Sequence, residues 1–158
     1  MRVIEDVAAL PDTVGEVWGP TDWQTVDQQR VSSFADVTND HQWIHVDAER
    51  AATDSPFGGT IAHGALTLSL CTSMVAELVR VQNAKSVINL GFDRVRFNGT
   101  VPTGSRLRGS AEVRDVRRIP GGYRVVARMT MSSDRSPRPV CVADQIFAVI
   151  PDEAAAPA

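Results

Sequence analysis

The feature that most constrains the fold of this chain is a long apolar run near its middle, residues 61–81, with the sequence IAHGALTLSLCTSMVAELVRV. Its apolar side chains recur at helical spacing and cover most of a helix circumference: Ala65, Leu66, Leu68, Leu70, Cys71, Met74, Val75, Leu78 and Val79. A helix that is apolar on nearly every side is a buried one. The run therefore predicts a central helix of about 17 residues, longer than the average helix of a globular protein.

The part of the chain after this helix has the character of a β-meander. Four segments alternate or are rich in β-branched residues: 86–97, 105–117, 123–132 and 140–150. Turn signals separate them, Pro102-Thr103-Gly104 and Pro120-Gly121-Gly122. This order predicts an α+β domain in which an antiparallel β-sheet wraps around the central helix. Shorter helices or a second subunit would cover the other side of the helix, and we expect a homodimer with a continuous sheet.

The segment before the central helix is expected to contain shorter elements. Residues 1–12 predict a short helix or lead-in that ends at Pro11, and residues 13–18 predict a short strand. Residues 27–38 predict a helix that begins near Asp27, and Asp47 is expected to cap a second short helix. Residues 41–46, between these helices, are expected to be irregular. We predict a single domain over residues 1–150 and a disordered tail over residues 151–158.

Composition excludes several classes of function. With 158 residues the chain is long enough for one domain with a substantial core. A net charge of −3 does not favour nucleic-acid binding, for which a basic stripe would be expected. The two cysteines, Cys71 and Cys141, have no metal-binding or redox spacing, so the cytoplasm is the expected compartment. The N-terminal residues indicate neither a signal peptide nor a membrane-spanning segment.

The residues that suggest chemistry lie together at the entrance to the central helix. Residues 34–73 contain all three histidines, His41, His45 and His63, and a close pair formed by Asp40 and His45. Burying such polar groups is costly unless they have partners. Their spacing matches no zinc pattern, so neither a metal nor a cofactor is expected. On the residues alone, this pair is more often a cap and a structural histidine than a catalytic dyad.

Two stretches, NDHQWIHVDAERA and FGGTIAHGALTLSL, resemble the MaoC-like, or R-specific enoyl-CoA hydratase, family. The family signature places an Asp five residues before a His, and Ile-x-His-Gly at the start of a long helix. Asp40, His45 and Gly64 stand at the matching positions. Gln42-Trp43 departs from the usual Asn-Pro, and Asn39 stands where Gly is common. The resemblance implies a hot-dog fold and an enzyme that acts on acyl-CoA or acyl-carrier-protein thioesters.

The resemblance also implies roles for individual residues. Asp40 and His45 would be the acid–base pair, since His titrates near neutral pH, and the N–H of Gly64 would bind the thioester oxygen. Thr72 stands where the family often has a Ser that hydrogen-bonds the catalytic Asp. His41 and His63 are expected to be structural, with His63 bonding backbone.

We expect the substrate to contact residues on both sides of this pair. Trp43 and Leu66 would line an apolar tunnel for the acyl chain beside the central helix. Arg94 and Arg96 would reach the phosphates of the CoA by charge-assisted hydrogen bonds.

Two other functions remain open at the level of sequence. A hot-dog thioesterase would use a carboxylate to activate water at the carbonyl carbon, although the Asp–His spacing and the Ile-x-His-Gly segment favour a hydratase. The chain could instead be a non-catalytic, acyl-binding subunit of a heteromeric dehydratase. Loss of the Asp or the His would indicate that role, and both Asp40 and His45 are present.

Overall fold

The computed structural model describes residues 1–152. The strands are β1 (Arg2–Ile4), β2 (Val17–Trp18), β3 (Gln24–Val26), β4 (Val79–Val81), β5 (Ala84–Phe97), β6 (Ser105–Ile119), β7 (Gly122–Ser133) and β8 (Cys141–Pro151). The helices are α1 (Gln28–Thr38), α2 (Trp43–Val46), α3 (Ala48–Asp54) and α4 (Gly64–Leu78), and a 3-10 helix spans Val7–Thr13. Residues 153–158 of the predicted tail lie outside the described residues. Pro151 still belongs to β8, one residue beyond the predicted end of the domain.

The main sheet is antiparallel and has the strand order β2-β6-β7-β8-β5, with β3 also paired to β6. The four predicted C-terminal strands are all present, and each begins and ends within about two residues of its predicted bounds. β1 and β4 form a separate parallel pair that the sequence did not predict, because three-residue strands carry too little alternation to be recognised.

Helix α4 packs against β6, β7 and β8 of this sheet and forms the core with it. Its buried side chains include Leu66, Cys71, Met74 and Leu78. Gly109 of β6 allows close packing here, because a Cβ at that position would lie only 3.0 Å from the Sδ of Met74. The predicted fold, an antiparallel sheet wrapped around one long helix, is therefore confirmed.

The prediction that α4 is buried on nearly every side is wrong for the single chain. Its residues Ala65, Ser69, Thr72 and Ala76 follow one another at three- or four-residue intervals and are exposed. The sheet can cover only one side of a helix, and the shorter helices leave this face open. An exposed face of small side chains is flat enough to accept a close neighbour.

The N-terminal segments differ from the prediction in detail. Pro11 does not end the first helix but lies inside the 3-10 helix, where its fixed φ is compatible with the backbone. The predicted strand over residues 13–18 is reduced to Val17–Trp18, after a turn in which Gly15 has a φ of +90°.

Helices α1 and α3 are capped as predicted. Asp27 precedes α1 and its carboxylate accepts a hydrogen bond from the N–H of Arg30. Asp47 precedes α3 and accepts in the same way from Arg50. Among residues 1–152, no helix combines the length and the apolar character that crossing a bilayer requires.

Candidate active site

Asp40 is positioned by the end of helix α1. Asn39 follows the helix with a φ of 57°, in the left-handed region, and its N–H donates to the carbonyl of Ala35. The N–H of Asp40 donates to the same carbonyl at 3.1 Å. Gly is the commonest residue at such a helix end and Asn is the next choice. Asn39 therefore makes the left-handed turn that ends α1, and Asp40 leaves the helix with a side chain that is 55% exposed.

His45 lies in α2, a single helical turn in the segment that was predicted to be irregular. Four residues are too few to show a helical period in the sequence. The imidazole is 7% exposed, and its Nδ1 lies 2.6 Å from the carbonyl oxygen of Ile61. Because a carbonyl oxygen can only accept, Nδ1 carries the proton and Nε2 of the neutral ring is a free acceptor.

The structure brings Asp40, His45 and His63 into one cluster. Oxygen or nitrogen atoms of the three side chains all lie within 4.8 Å of one another. The imidazole of His63 stacks on that of His45, with 3.8 Å between ring centroids. Its Nε2 lies 2.9 Å from the backbone carbonyl oxygen of Asp40, which agrees with the expected structural role of His63.

Such a cluster has the donor types of a metal site, but its geometry favours hydrogen bonding. The two imidazole rings are stacked, with their planes 26° apart. One ring nitrogen of each histidine is already directed at a backbone carbonyl. The expectation of a metal-free site stays a prediction.

A small cavity of about 200 Å³ lies beside His45 at the N-terminus of α4. His45 and Gly64 both line it, together with Ile61, Ala62, Thr67, Phe97, Gly99, Thr100, Val101 and Val140. Gly64 is the first residue of α4, and the first backbone N–H groups of a helix have no partner within it. The preceding residue, His63, directs its side chain to Asp40 and does not cap the helix.

Gly64 is in contact with an aromatic ring that the sequence did not indicate. A Cβ added to Gly64 would lie 3.3 Å from the ring of Phe97, a residue at the end of β5 that is 53% exposed. The missing side chain thus leaves room for Phe97 and keeps the N–H of Gly64 accessible. The sequence could not indicate this contact, because Phe97 and Gly64 are 33 positions apart and no local pattern joins them.

A second and larger cavity, of about 610 Å³, follows the C-terminal half of α4. Its mainly apolar wall is formed with β5 and β8 and includes Val75, Ala76, Val79, Val87, Phe147 and Val149. Thr72 lines this cavity, and its hydroxyl lies 3.4 Å from the amide nitrogen of Gln145. At 1.5 Å per residue, Thr72 is about 12 Å along the helix from Gly64. Thr72 is therefore placed with Gln145, and its role toward Asp40 stays a prediction.

The remaining predicted residues lie at different depths. Trp43 begins α2 and is half-buried, with the guanidinium of Arg50 4.3 Å from its ring centre. Leu66 is 5% exposed and packs in the hydrophobic core, away from both cavity walls. Both remain predicted acyl-chain contacts, but the buried location of Leu66 does not favour such a contact.

Arg94 and Arg96 lie on β5, close to Phe97. The guanidinium of Arg94 is 77% exposed and lies 4.0 Å from the carboxylate of Asp144. Arg96 donates to the backbone carbonyl of Val95. Their proximity to Phe97 is compatible with a negatively charged group near the small cavity, and their role in binding phosphate stays a prediction.

The sheet around one helix, with a carboxylate and two imidazoles at the N-terminus of that helix, defines a protein of the hot-dog class. The chain matches the family model described as MaoC like domain over residues 10–133. It therefore belongs to the MaoC-like family, as the sequence predicted.

Similarity to individual proteins agrees with this membership. The chain is 44% identical over 147 residues to 3-hydroxyacyl-thioester dehydratase Z of Mycobacterium tuberculosis (strain ATCC 25618 / H37Rv), an alignment that covers 92% of this chain and 97% of that protein. R-hydratase PhaJ1 from Pseudomonas aeruginosa, in its unliganded form, has the same fold, with a TM-score of 0.74, 24% identity and coverage of 93% of this chain and 86% of that chain. The ChsH1-ChsH2 complex from Mycobacterium tuberculosis includes a chain with a TM-score of 0.68 and 16% identity, covering 86% of this chain and 97% of that one.

Proposed function

We propose that this protein is a hydro-lyase that interconverts 2-enoyl thioesters and (R)-3-hydroxyacyl thioesters. The observation that carries the proposal is the placement of Asp40 and His45 beside the open N-terminus of α4. A buried imidazole with a free Nε2 and the N–H of Gly64 line one cavity, and a carboxylate lies within 4.8 Å of the histidine cluster. The similarity over nearly the whole chain to a protein named 3-hydroxyacyl-thioester dehydratase supports the same reaction.

In the direction of hydration, His45 is the proton acceptor of the proposed mechanism. A water molecule can bridge Asp40 and His45, because a carboxylate oxygen and a ring nitrogen of these side chains lie within 4.8 Å of each other and two hydrogen bonds span more than this distance. As the water oxygen bonds to C3, one of its protons moves to Nε2 of His45. The resulting imidazolium then returns a proton to C2, and Asp40 holds the water and stabilises the positive charge.

Between these two steps the negative charge lies on the thioester oxygen. The backbone N–H groups at the start of α4 point out of the helix, and the helix dipole is positive at that end. The proposed donor to this oxygen is the N–H of Gly64, which lines the small cavity and has no side chain to hinder the thioester.

We place the acyl chain along α4, with the larger cavity as its far end. The wall of that cavity is mainly apolar, and it shares the same helix with the small cavity beside His45. Arg94 and Arg96 are the proposed contacts for the phosphates of CoA or of an acyl-carrier protein.

The reaction is tested with Asp40→Asn and His45→Gln. Each variant removes one group that the mechanism requires, so each should lower kcat for crotonyl-CoA hydration by roughly 10²–10⁴-fold. The assay follows loss of the enoyl absorbance together with free thiol, and the chirality of the 3-hydroxyacyl product is determined. His41→Gln is the matched control, since His41 is an exposed histidine of the same segment that pairs with Asp36.

Near-full activity of either variant would contradict the assignment of the dyad. Release of free thiol by the unmodified protein, without loss of the enoyl group, would indicate a thioesterase. Absence of both reactions in the protein expressed alone would favour a non-catalytic subunit.

We further propose that the protein is a homodimer in the cytoplasm. Strand β5 is at the end of the sheet order, and its side chains Val87, Ile88 and Leu90 are about half exposed. A long apolar edge strand is a surface that proteins usually cover. The face of α4 with small side chains is exposed as well. Both cysteines are free and buried, as suits a reducing compartment.

The oligomeric state is tested by analytical ultracentrifugation of the protein expressed alone. We expect a dimer that Ile88→Lys converts to monomer. A monomeric unmodified protein that associates only with a second MaoC-like chain would instead indicate a heteromer.

A further inference from the structure

His63 is a buried histidine for which the proposed reaction has no use. It is 2% exposed, and it occupies the position before α4 at which Ser, Thr, Asp or Asn would normally cap the helix. Its Nδ1 is a buried nitrogen for which no hydrogen-bond partner is found among residues 1–152. A buried polar atom without a partner is uncommon in native proteins and calls for an explanation.

The contacts of His63 explain its placement. Nε2 lies 2.9 Å from the backbone carbonyl oxygen of Asp40, and this oxygen can only accept. The neutral ring therefore carries its proton on Nε2 and leaves Nδ1 as a bare acceptor. The single hydrogen bond that the imidazole donates is thus directed at the loop that carries the proposed catalytic carboxylate.

The faces of the same ring make the second contact. The ring lies between Phe34 of α1, at 5.1 Å between centroids, and His45 of α2, at 3.8 Å. The stacking fixes the plane of the His45 imidazole, while the bond from Nδ1 of His45 to Ile61 fixes its rotation. One side chain therefore orients both members of the pair relative to Gly64, the next residue along the chain.

We propose that His63 is a positioning residue for the hydro-lyase reaction, acting through the Nε2 bond to Asp40 and the stacking on His45. It transfers no proton to substrate. The inference rests on the proposed function, because it assigns His63 a role toward Asp40 and His45. It goes beyond that function because it assigns to His63, the residue before Gly64, the task of holding Asp40 and His45 in place.

Two substitutions separate the two contacts. His63→Phe keeps a ring that can stack on His45 and loses the donor to Asp40. His63→Gln keeps an N–H donor and loses the ring. Each should lower kcat for crotonyl-CoA hydration by about 10–100-fold and change KM by less than about 3-fold, because misplacement of reacting groups by about 1 Å can cost this much. His41→Phe is the matched control and should retain the activity of the unmodified protein.

A double-substitution cycle distinguishes positioning from general structural damage. If His63 acts through the pair, adding His63→Phe to His45→Gln should cause no further loss of kcat. Losses that multiply, or single variants with unmodified kcat, would overturn the proposal. Inactive His45→Gln with fully active His63→Phe would refute the positioning role alone, whereas active His45→Gln would refute the proposed function itself.

The tautomer gives a test that needs no substitution. Nitrogen-15 NMR of the unmodified protein at neutral pH should show His63 with its proton on Nε2 and an unprotonated Nδ1. A ring protonated on Nδ1 alone could not donate to Asp40, and that result would refute the proposal even if the variants do not fold.

Discussion

The two halves of α4 face cavities of different size and lining. At the N-terminus a cavity of about 200 Å³ is lined by His45 and by the backbone of Gly64. Along the C-terminal half a cavity of about 610 Å³ has a mainly apolar wall. One helix thus provides directed donors at its end and space along its side. The proposed chemistry therefore depends on a few atoms of His45 and Gly64 at the N-terminus of α4. The length of acyl chain that fits depends instead on the volume of the side chains that line the larger cavity.

Within this comparison, the largest expected effect comes from removing one backbone N–H at the N-terminus of α4. Gly64→Pro deletes the proposed oxyanion donor, and proline is tolerated at the first position of a helix. The preceding residue, His63, already has φ −59° and ψ 139°, which a following proline accepts. We expect kcat for crotonyl-CoA hydration to fall roughly 10²–10³-fold.

The control for this substitution is Gly64→Ala. It adds the same Cβ, which would lie 3.3 Å from the ring of Phe97, but keeps the N–H. Gly64→Ala should lose far less activity than Gly64→Pro. Equal losses in both variants would mean that the ring contact, and not the N–H, is what the reaction requires.

The next largest effect concerns the larger cavity beside the C-terminal half of α4. Ala76→Leu fills part of the larger cavity and should lower kcat/KM for long-chain enoyl-CoA by about 10–100-fold, because added methylene groups then clash with the acyl chain. Hydration of crotonyl-CoA should change less than about 2-fold. The measurement is a series of enoyl-CoA chain lengths, with Ala76→Ser as the conservative control. An unchanged chain-length profile would remove this cavity from the substrate path.

A smaller effect, on the stability of the fold, is expected from a substitution in β8, the strand that forms one wall of the larger cavity. Asp144 of β8 is 5% exposed and accepts two hydrogen bonds from Arg128, at 2.7 and 2.9 Å. These hydrogen bonds hold the pKa of the Asp144 carboxyl below its usual value, although burial acts in the opposite direction. A lowered pKa in the folded state means that the carboxylate stabilises the fold above the unfolded-state pKa and loses this contribution as pH falls through the folded value.

Asp144→Asn should therefore lower the free energy of unfolding at pH 7 by about 2 kcal/mol. The difference from the unmodified protein should shrink below about pH 4, as measured by urea denaturation across pH. Asp134→Asn, at the exposed pair with Arg106, is the control and should cost less. A pH-independent difference would show that shape, and not charge, makes Asp144 important.

The smallest expected effect lies in the turn that delivers Asp40. Asn39 has a φ of 57°, so Asn39→Ala should lower the free energy of unfolding by about 1 kcal/mol, while Asn39→Gly should be close to neutral. Thermal unfolding measures both. If Asn39→Ala is as stable as Asn39→Gly, the left-handed turn is not required for stability.

The sequence predicted those features that a local pattern encodes. Alternation over ten or more residues marked β5 to β8, and Asp27 and Asp47 marked the starts of two helices. It did not predict the contact of Phe97 with Gly64 or the stacking of His63 on His45, because both join residues that are brought together only when the N-terminus of α4 meets β5 and α2. Similarly, the sequence did not predict that one face of α4 is exposed in the single chain. Whether the small residues of this face are buried depends on a neighbouring molecule.

Strand β5 has a consequence for how the protein folds. It pairs with β8, and the whole β6–β7 hairpin lies between the two strands in the chain. The hairpin can form from near neighbours, whereas β5 must wait for a partner far along the chain. We therefore expect the β5–β8 ladder to form late, leaving an apolar strand with two open edges in the folding intermediate. Synthesis at high concentration would then favour aggregation through this strand, which slower expression should relieve.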